Sequence, residues 1–148
     1  MKIKTSWLLC AAGLLGFMVG CGPDLSHLPK TVKAEGTVTL DGIPVDQATV
    51  VFIAQQGQYS ARAITDASGK FTLQAFDEKP GAVPGDYKIQ VNKTVLNESG
   101  GGSDPGAGGT VQVSYGLPKR YAAISTSGLK YTIPDQDTSD ILLELKSK

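Results

Sequence analysis

From Thr31 onward the chain shows short runs of Val, Ile, Thr, Tyr and Phe, broken about every ten residues by Gly, Pro, Asp or Ser. No stretch after residue 30 carries an amphipathic helical period, so the pattern predicts an all-β domain. The predicted strands are Val32–Leu40, Ala48–Ala54, Ser60–Thr65, Lys70–Phe76, Asp86–Val95, Thr110–Tyr115, Leu129–Ile133 and Asp140–Lys146. Seven to eight short strands of this kind predict a β-sandwich. Period-two alternation puts Phe71 and Leu73 on one face, as it does Tyr87, Ile89 and Val91, with Lys88, Gln90 and Asn92 opposite. These apolar positions are the expected core, with Tyr87 a buried ring whose hydroxyl reaches the backbone. Val50-Val51-Phe52-Ile53 is apolar on both faces, which predicts a central strand covered on each side or one near a sheet-to-sheet corner.

The connections agree with that plan. Asp41-Gly42 and Asp66-Ala67-Ser68-Gly69 join apolar runs with residues that accept positive φ or close a turn through their side chains. Pro84-Gly85 suits the centre of a type II turn before the Tyr87 strand. Residues 98–109 contain six glycines in twelve positions, predicting a mobile Gly-rich loop between two strands of one domain.

The N-terminus has another character. Lys2 and Lys4 precede an uncharged apolar run, Trp7 to Val19, followed by Gly20-Cys21-Gly22-Pro23. As a helix those thirteen residues would span about 20 Å, short of the roughly 30 Å of bilayer hydrocarbon, so they suit a secretory signal better than a membrane span. Met18-Val19-Gly20-Cys21 resembles a lipobox, with Cys21 offering its thiol to a diacylglycerol carrying fatty chains of the palmitate class. The expected organisation is a signal peptide over 1–20, a tether over 21–30 and a sandwich over 31–148. Cleavage leaves 128 residues, enough for one domain with a real core.

Charge and cysteine usage narrow the function. The fourteen basic and fourteen acidic side chains become twelve and fourteen once Lys2 and Lys4 leave, with no Lys/Arg cluster, so nucleic acid is not an expected partner. Cys10 leaves with the signal and Cys21 is acylated, so neither an intrachain disulfide nor a free reactive thiol is expected.

Catalytic candidates are sparse. The single histidine, His27, lies in the tether, which argues against a Ser-His-Asp arrangement or a His-based metal site. Asp135, Asp137 and Asp140 offer oxygen ligands at close spacing but lack the central Gly and distal Glu of a calcium loop, and read as a solvated turn. Asp77 and Glu78 are neighbours whose side chains point apart, and no cleft is marked. No catalytic residue, metal ligand or cofactor-binding residue is expected. Tyr59, Tyr115, Tyr121 and Tyr131 fall near predicted strand ends, where exposed rings stack on sugars or clasp a protein.

Gly36-Thr37-Val38-Thr39-Leu40-Asp41-Gly42-Ile43-Pro44-Val45, then Ala48, Val50 and Phe52, Thr65-Asp66 with Gly69, Phe71 and Leu73, and Pro84-Gly85-Asp86-Tyr87-Lys88-Ile89 together resemble a carboxypeptidase-regulatory-like domain. The later run Leu117-Pro118-Lys119-Arg120-Tyr121, Thr126-Ser127-Gly128-Leu129 and Leu142-Leu143-Glu144-Leu145 resembles small lipoproteins of planctomycete type that carry this domain. The resemblance implies a transthyretin-like or Ig-like sandwich in the cell envelope and no set activity. The ending Glu144-Leu145-Lys146-Ser147-Lys148 departs from the Tyr-Arg-Gly-Ser ending of the related hydroxyisourate hydrolases, so their chemistry is not carried over. The expected function is a lipid-anchored envelope module, held on the membrane through Cys21 and serving a non-enzymatic binding or structural role toward envelope proteins or glycans. The alternatives are an envelope carbohydrate-binding protein and an accessory hydrolase.

Overall fold

The computed structural model describes residues 25–57, 59–99 and 110–148. Cys21, the expected signal segment and most of the Gly-rich stretch lie outside the described residues. Ten strands form in chain order: β1 (Ala34–Leu40), β2 (Ile43–Pro44), β3 (Thr49–Ala54), β4 (Ala61–Ile64), β5 (Lys70–Thr72), β6 (Gly85–Asn92), β7 (Thr94–Ser99), β8 (Thr110–Tyr115), β9 (Leu129–Ile133) and β10 (Thr138–Leu145). A 3-10 turn, Lys119–Ala122, and a one-turn helix α1, Ile124–Ser127, precede β9.

The protein is an all-β sandwich. In the first sheet β1 is central: β10 lies parallel along one edge, while β5 and β2 pair antiparallel with successive halves of the other. The second sheet runs β4-β3-β6-β9 and is antiparallel throughout. β7 and β8 form a separate two-stranded ribbon. Phe52 of the second sheet joins the layers, its ring 6.3 Å from Phe71 of the first and 5.8 Å from its neighbour Tyr87.

The expected core residues Phe71, Leu73, Tyr87, Ile89 and Val91 are all buried, together with Val38, Val50, Ile133, Ile141, Leu143 and Leu145. The Tyr87 hydroxyl donates to the Val83 carbonyl at 2.7 Å, and burial raises the pKa of that phenol. Among the described residues no buried side-chain polar atom lacks a partner. Thr65 and Ser127, the buried polar residues, serve backbone groups: Thr65 Oγ1 accepts the Ala48 amide at 2.8 Å and Ser127 Oγ donates to the Ile89 carbonyl at 2.6 Å.

Two local solutions follow directly from residue type. Asp41 and Gly42, at φ 51° and 86°, are the central pair of a tight turn between Leu40 and Ile43, which face each other across β1 and β2. Gly36 lies between Ile141 on one side and Phe71 on the other. A Cβ there would sit 2.3 Å from the Ile141 carbonyl oxygen and 2.6 Å from the Phe71 ring, so only a residue without a side chain lets those two fill the core. The Asp66 turn also forms as expected: its carboxylate accepts the Ser68 and Lys70 amides at 2.8 and 3.0 Å and the Ser68 hydroxyl at 2.7 Å. Those bonds, the Ser68 hydroxyl first, hold the Asp66 pKa below its ordinary value.

Several expectations are corrected. The expected Asp86–Val95 strand divides at Lys93: β6 ends at Asn92, beside Thr49 of β3, and the chain leaves the sheet to pair with β8. Lys93 marks the departure, its ammonium 2.7 Å from Asp46 and its carbonyl accepting the Gly116 amide. The expected Lys70–Phe76 strand ends at Thr72, because Leu73 still bonds Ala34 of the first sheet while Gln74 exchanges both backbone bonds with Arg62 of the second. Gly85 has φ 148° and already pairs with Ile133, so Pro84-Gly85 feeds β6 directly and is not the centre of a type II turn. β3 is central as expected, but its outer face is only partly covered, with Val51 half-buried and Ile53 38% exposed.

Candidate functional site

Where the chain crosses between sheets, Ala75 to Pro80 forms a loop whose neck is closed by the Ala75 amide donating to the Gly81 carbonyl at 2.8 Å. The loop lies beside β4, because Arg62 and Gln74 bond each other in both directions at 2.9 and 3.0 Å. Gln74 Nε2 donates to the carbonyls of Phe76 and Asp77 at 2.9 and 3.2 Å, which fixes the loop's course. The described part of the expected tether is held against the sandwich. Lys79 Nζ donates to the Pro29 carbonyl at 2.7 Å, Lys30 meets Asp135 at 2.8 Å, and Val32 and Ala82 exchange backbone bonds at 2.9 Å.

These three segments enclose a groove of about 610 Å³. Leu28, Val51, Ala61 and Ala75 supply its apolar lining, and Ser60, Arg62, Gln74, Asp77, Glu78 and His27 its polar groups. Phe76 also lines it, with the Tyr59 ring set edge-on at 5.2 Å. Arg62 Nη2 and Asp77 Oδ1 are 3.4 Å apart and both side chains are well exposed, so this loose pair leaves its hydrogen-bonding capacity open to a ligand. The volume falls within the roughly 300–1,000 Å³ range of small-molecule sites.

His27, Asp77 and Glu78, which the sequence separates by fifty residues and for which it marks no cleft, thus border one groove. Arg62, Gln74 and Phe76 were not singled out by sequence, since no motif marks them and only the sheet-to-sheet crossing brings them together. A second groove, about 640 Å³, is lined by Glu35, Thr37, Ile64, Asp66, Lys70 and their neighbours. Its acids are occupied: Glu35 by Lys33 at 3.0 Å and Thr72 at 3.2 Å, Asp66 by its own turn. The bond to Lys33 is the main cause lowering the Glu35 pKa.

The four tyrosines do not form one platform. Tyr121 is buried, with its oxygen accepting the Lys146 amide at 2.9 Å and an Arg120 guanidinium N–H at 3.1 Å. Burial raises its pKa most among the separate influences, but the Lys146 amide and Arg120 together outweigh it, and the net direction is down. Arg120 also donates to the Lys146 and Lys148 carbonyls, and Asp41 accepts the Ser147 amide, so these groups pin the last residues. Tyr131 packs against the core. Tyr115 is 53% exposed under the Lys119 ammonium, 5.3 Å from the ring centre.

The acidic run near β10 is spent on structure. Asp135 pairs with Lys30, Asp137 accepts the Lys33 amide at 2.8 Å and Asp140 accepts the Thr138 hydroxyl at 2.5 Å. Among the described residues no group of three or more His, Cys, Asp or Glu side chains is placed to hold a metal ion. No described helix is long and apolar enough to cross a membrane.

No protein-family model matches the chain. The search of curated proteins finds no match either. Among solved structures, a 9R-lipoxygenase from Cyanothece PCC8801 is similar over 78% of this chain at 16% identity, with a TM-score of 0.38. The chain spans only 16% of that protein's length, and a likeness this slight carries no argument about fold or activity.

Proposed function

We propose that the chain is a lipid-anchored module of the cell envelope that binds a ligand without transforming it, with the sandwich as frame and the groove beside β4 as binding surface. The observation that carries this reading is the short distance between the expected anchor and the groove. Five residues separate Cys21 from His27 at the groove's edge, a reach of at most about 22 Å for an extended chain. Acylation of Cys21 would therefore hold the groove close to the membrane surface.

The resemblance to a carboxypeptidase-regulatory-like domain, with its transthyretin-like sandwich, is compatible with the two packed sheets and with Gly36, Phe71 and Tyr87 at central positions. Envelope fractionation with intact-mass analysis tests the anchor. The native chain is expected in the membrane fraction with a mass increment of diacylglycerol on Cys21, and Cys21→Ser in the soluble fraction. Retention of Cys21→Ser on membranes, or an unmodified Cys21, overturns the proposal.

A further inference from the structure

We infer that the groove beside β4 takes a neutral oligosaccharide, an inference that rests on the binding role proposed above and adds the chemical class of its ligand. A sugar ring presents a C–H face and a rim of hydroxyls that each donate and accept. The groove offers matching groups, with the Phe76 ring for the C–H face and Arg62 beside Asp77, with Glu78, as donor and acceptors for the rim.

Other ligand classes fit less well. An extended peptide cannot add to β4 at this point, because Arg62 already exchanges both of its backbone bonds with Gln74. An anion meets Asp77 and Glu78 facing the same space as Arg62, so the groove has no positive excess to hold it. The apolar lining of Leu28, Val51, Ala61 and Ala75 suits the flat faces of linked rings, and the volume accommodates on the order of two or three of them. His27 and Leu28 form one wall, so a bound saccharide touches the segment that leads to Cys21.

The test uses the full chain carrying Cys21→Ser, so that failure to bind sugar and failure to be anchored are read separately. Calorimetric titration against a panel of neutral di- and trisaccharides that differ in linkage and N-acetylation should find at least one that binds. Arg62→Ala and Phe76→Ala should each weaken that binding at least tenfold, while Tyr115→Ala leaves it unchanged. Arg62 is well exposed and lies outside the core, so its variant keeps the test sound should Phe76→Ala disturb the loop. Absence of binding across the panel, binding that survives both groove variants, or loss only on Tyr115→Ala overturns the inference.

Discussion

Thr65→Val isolates a single hydrogen bond in the frame of the protein. Thr65 Oγ1 accepts the amide of Ala48 at 2.8 Å, the Thr65 amide donates back to the Ala48 carbonyl at 2.9 Å, and the two residues are 2% and 0% exposed. Valine keeps the shape and removes the acceptor. No water reaches Ala48, so the orphaned amide should cost about 2–3 kcal/mol, the upper part of the range for buried unsatisfied groups. The added buried methyl returns about 0.8 kcal/mol, leaving a net loss of about 1.2–2.2 kcal/mol. For a domain of this size that lowers Tm by about 5–9 °C. Thr65→Ser, which keeps the oxygen and loses only a methyl, should fall by about half as much. Thermal unfolding followed by circular dichroism gives the ranking, and hydrogen exchange at the Ala48 amide gives its cause, since that proton should exchange faster in the valine variant. A Thr65→Val protein melting within about 2 °C of the parent, or above Thr65→Ser, refutes the reasoning.

Gly36→Ala should be more damaging, because the nearest obstacle to its Cβ is the Ile141 backbone oxygen, which no side-chain rotation can move. A loss at or above the roughly 3 kcal/mol upper range of overpacking is expected in urea unfolding, and a variant as stable as the parent would show that β1 and β10 can separate freely. Acid should also destabilise the fold. Asp66 lies below its ordinary value mainly through the Ser68 hydroxyl, Asp41 through Ser147 and Asp46 through Lys93. Carboxylates with depressed folded pKa values contribute stability that is complete above their unfolded values near 4 and disappears as pH falls through the lower folded ones. Tm should therefore hold steady from pH 7 to about 5 and decline below about 4, with Asp66→Asn removing part of the acid slope; an unchanged slope in that variant would place the linkage elsewhere.

The sheets were legible in the sequence because strand periodicity is local and strong here. Tyr87, Ile89 and Val91 alternate with polar residues, and the alternation alone fixed their burial. Asp41-Gly42 announced its turn because few other pairs accept positive φ at both positions. The departure at Lys93 was hidden because Thr94-Val95 resumes strand-forming residues straight after the weak pair Asn92-Lys93, and only the pairing with Thr110–Tyr115 draws the chain away. The two short turns between Lys119 and Ser127 were invisible, as one turn is too brief to set up a helical period. The groove was hidden for a different reason. Arg62 and Phe76 to Glu78 become neighbours only because the chain changes sheets at Leu73, and sequence separation gives no sign of that corner.

The parallel alignment of β1 with β10 has a mechanical consequence. A pull applied backward on Ala34 and forward on Leu145 slides the two strands past each other, loading the bonds from Gly36↔Ile141 to Leu40↔Leu145 together instead of peeling them one at a time. Tension applied between the two ends of the fold would thus meet it along its most resistant direction.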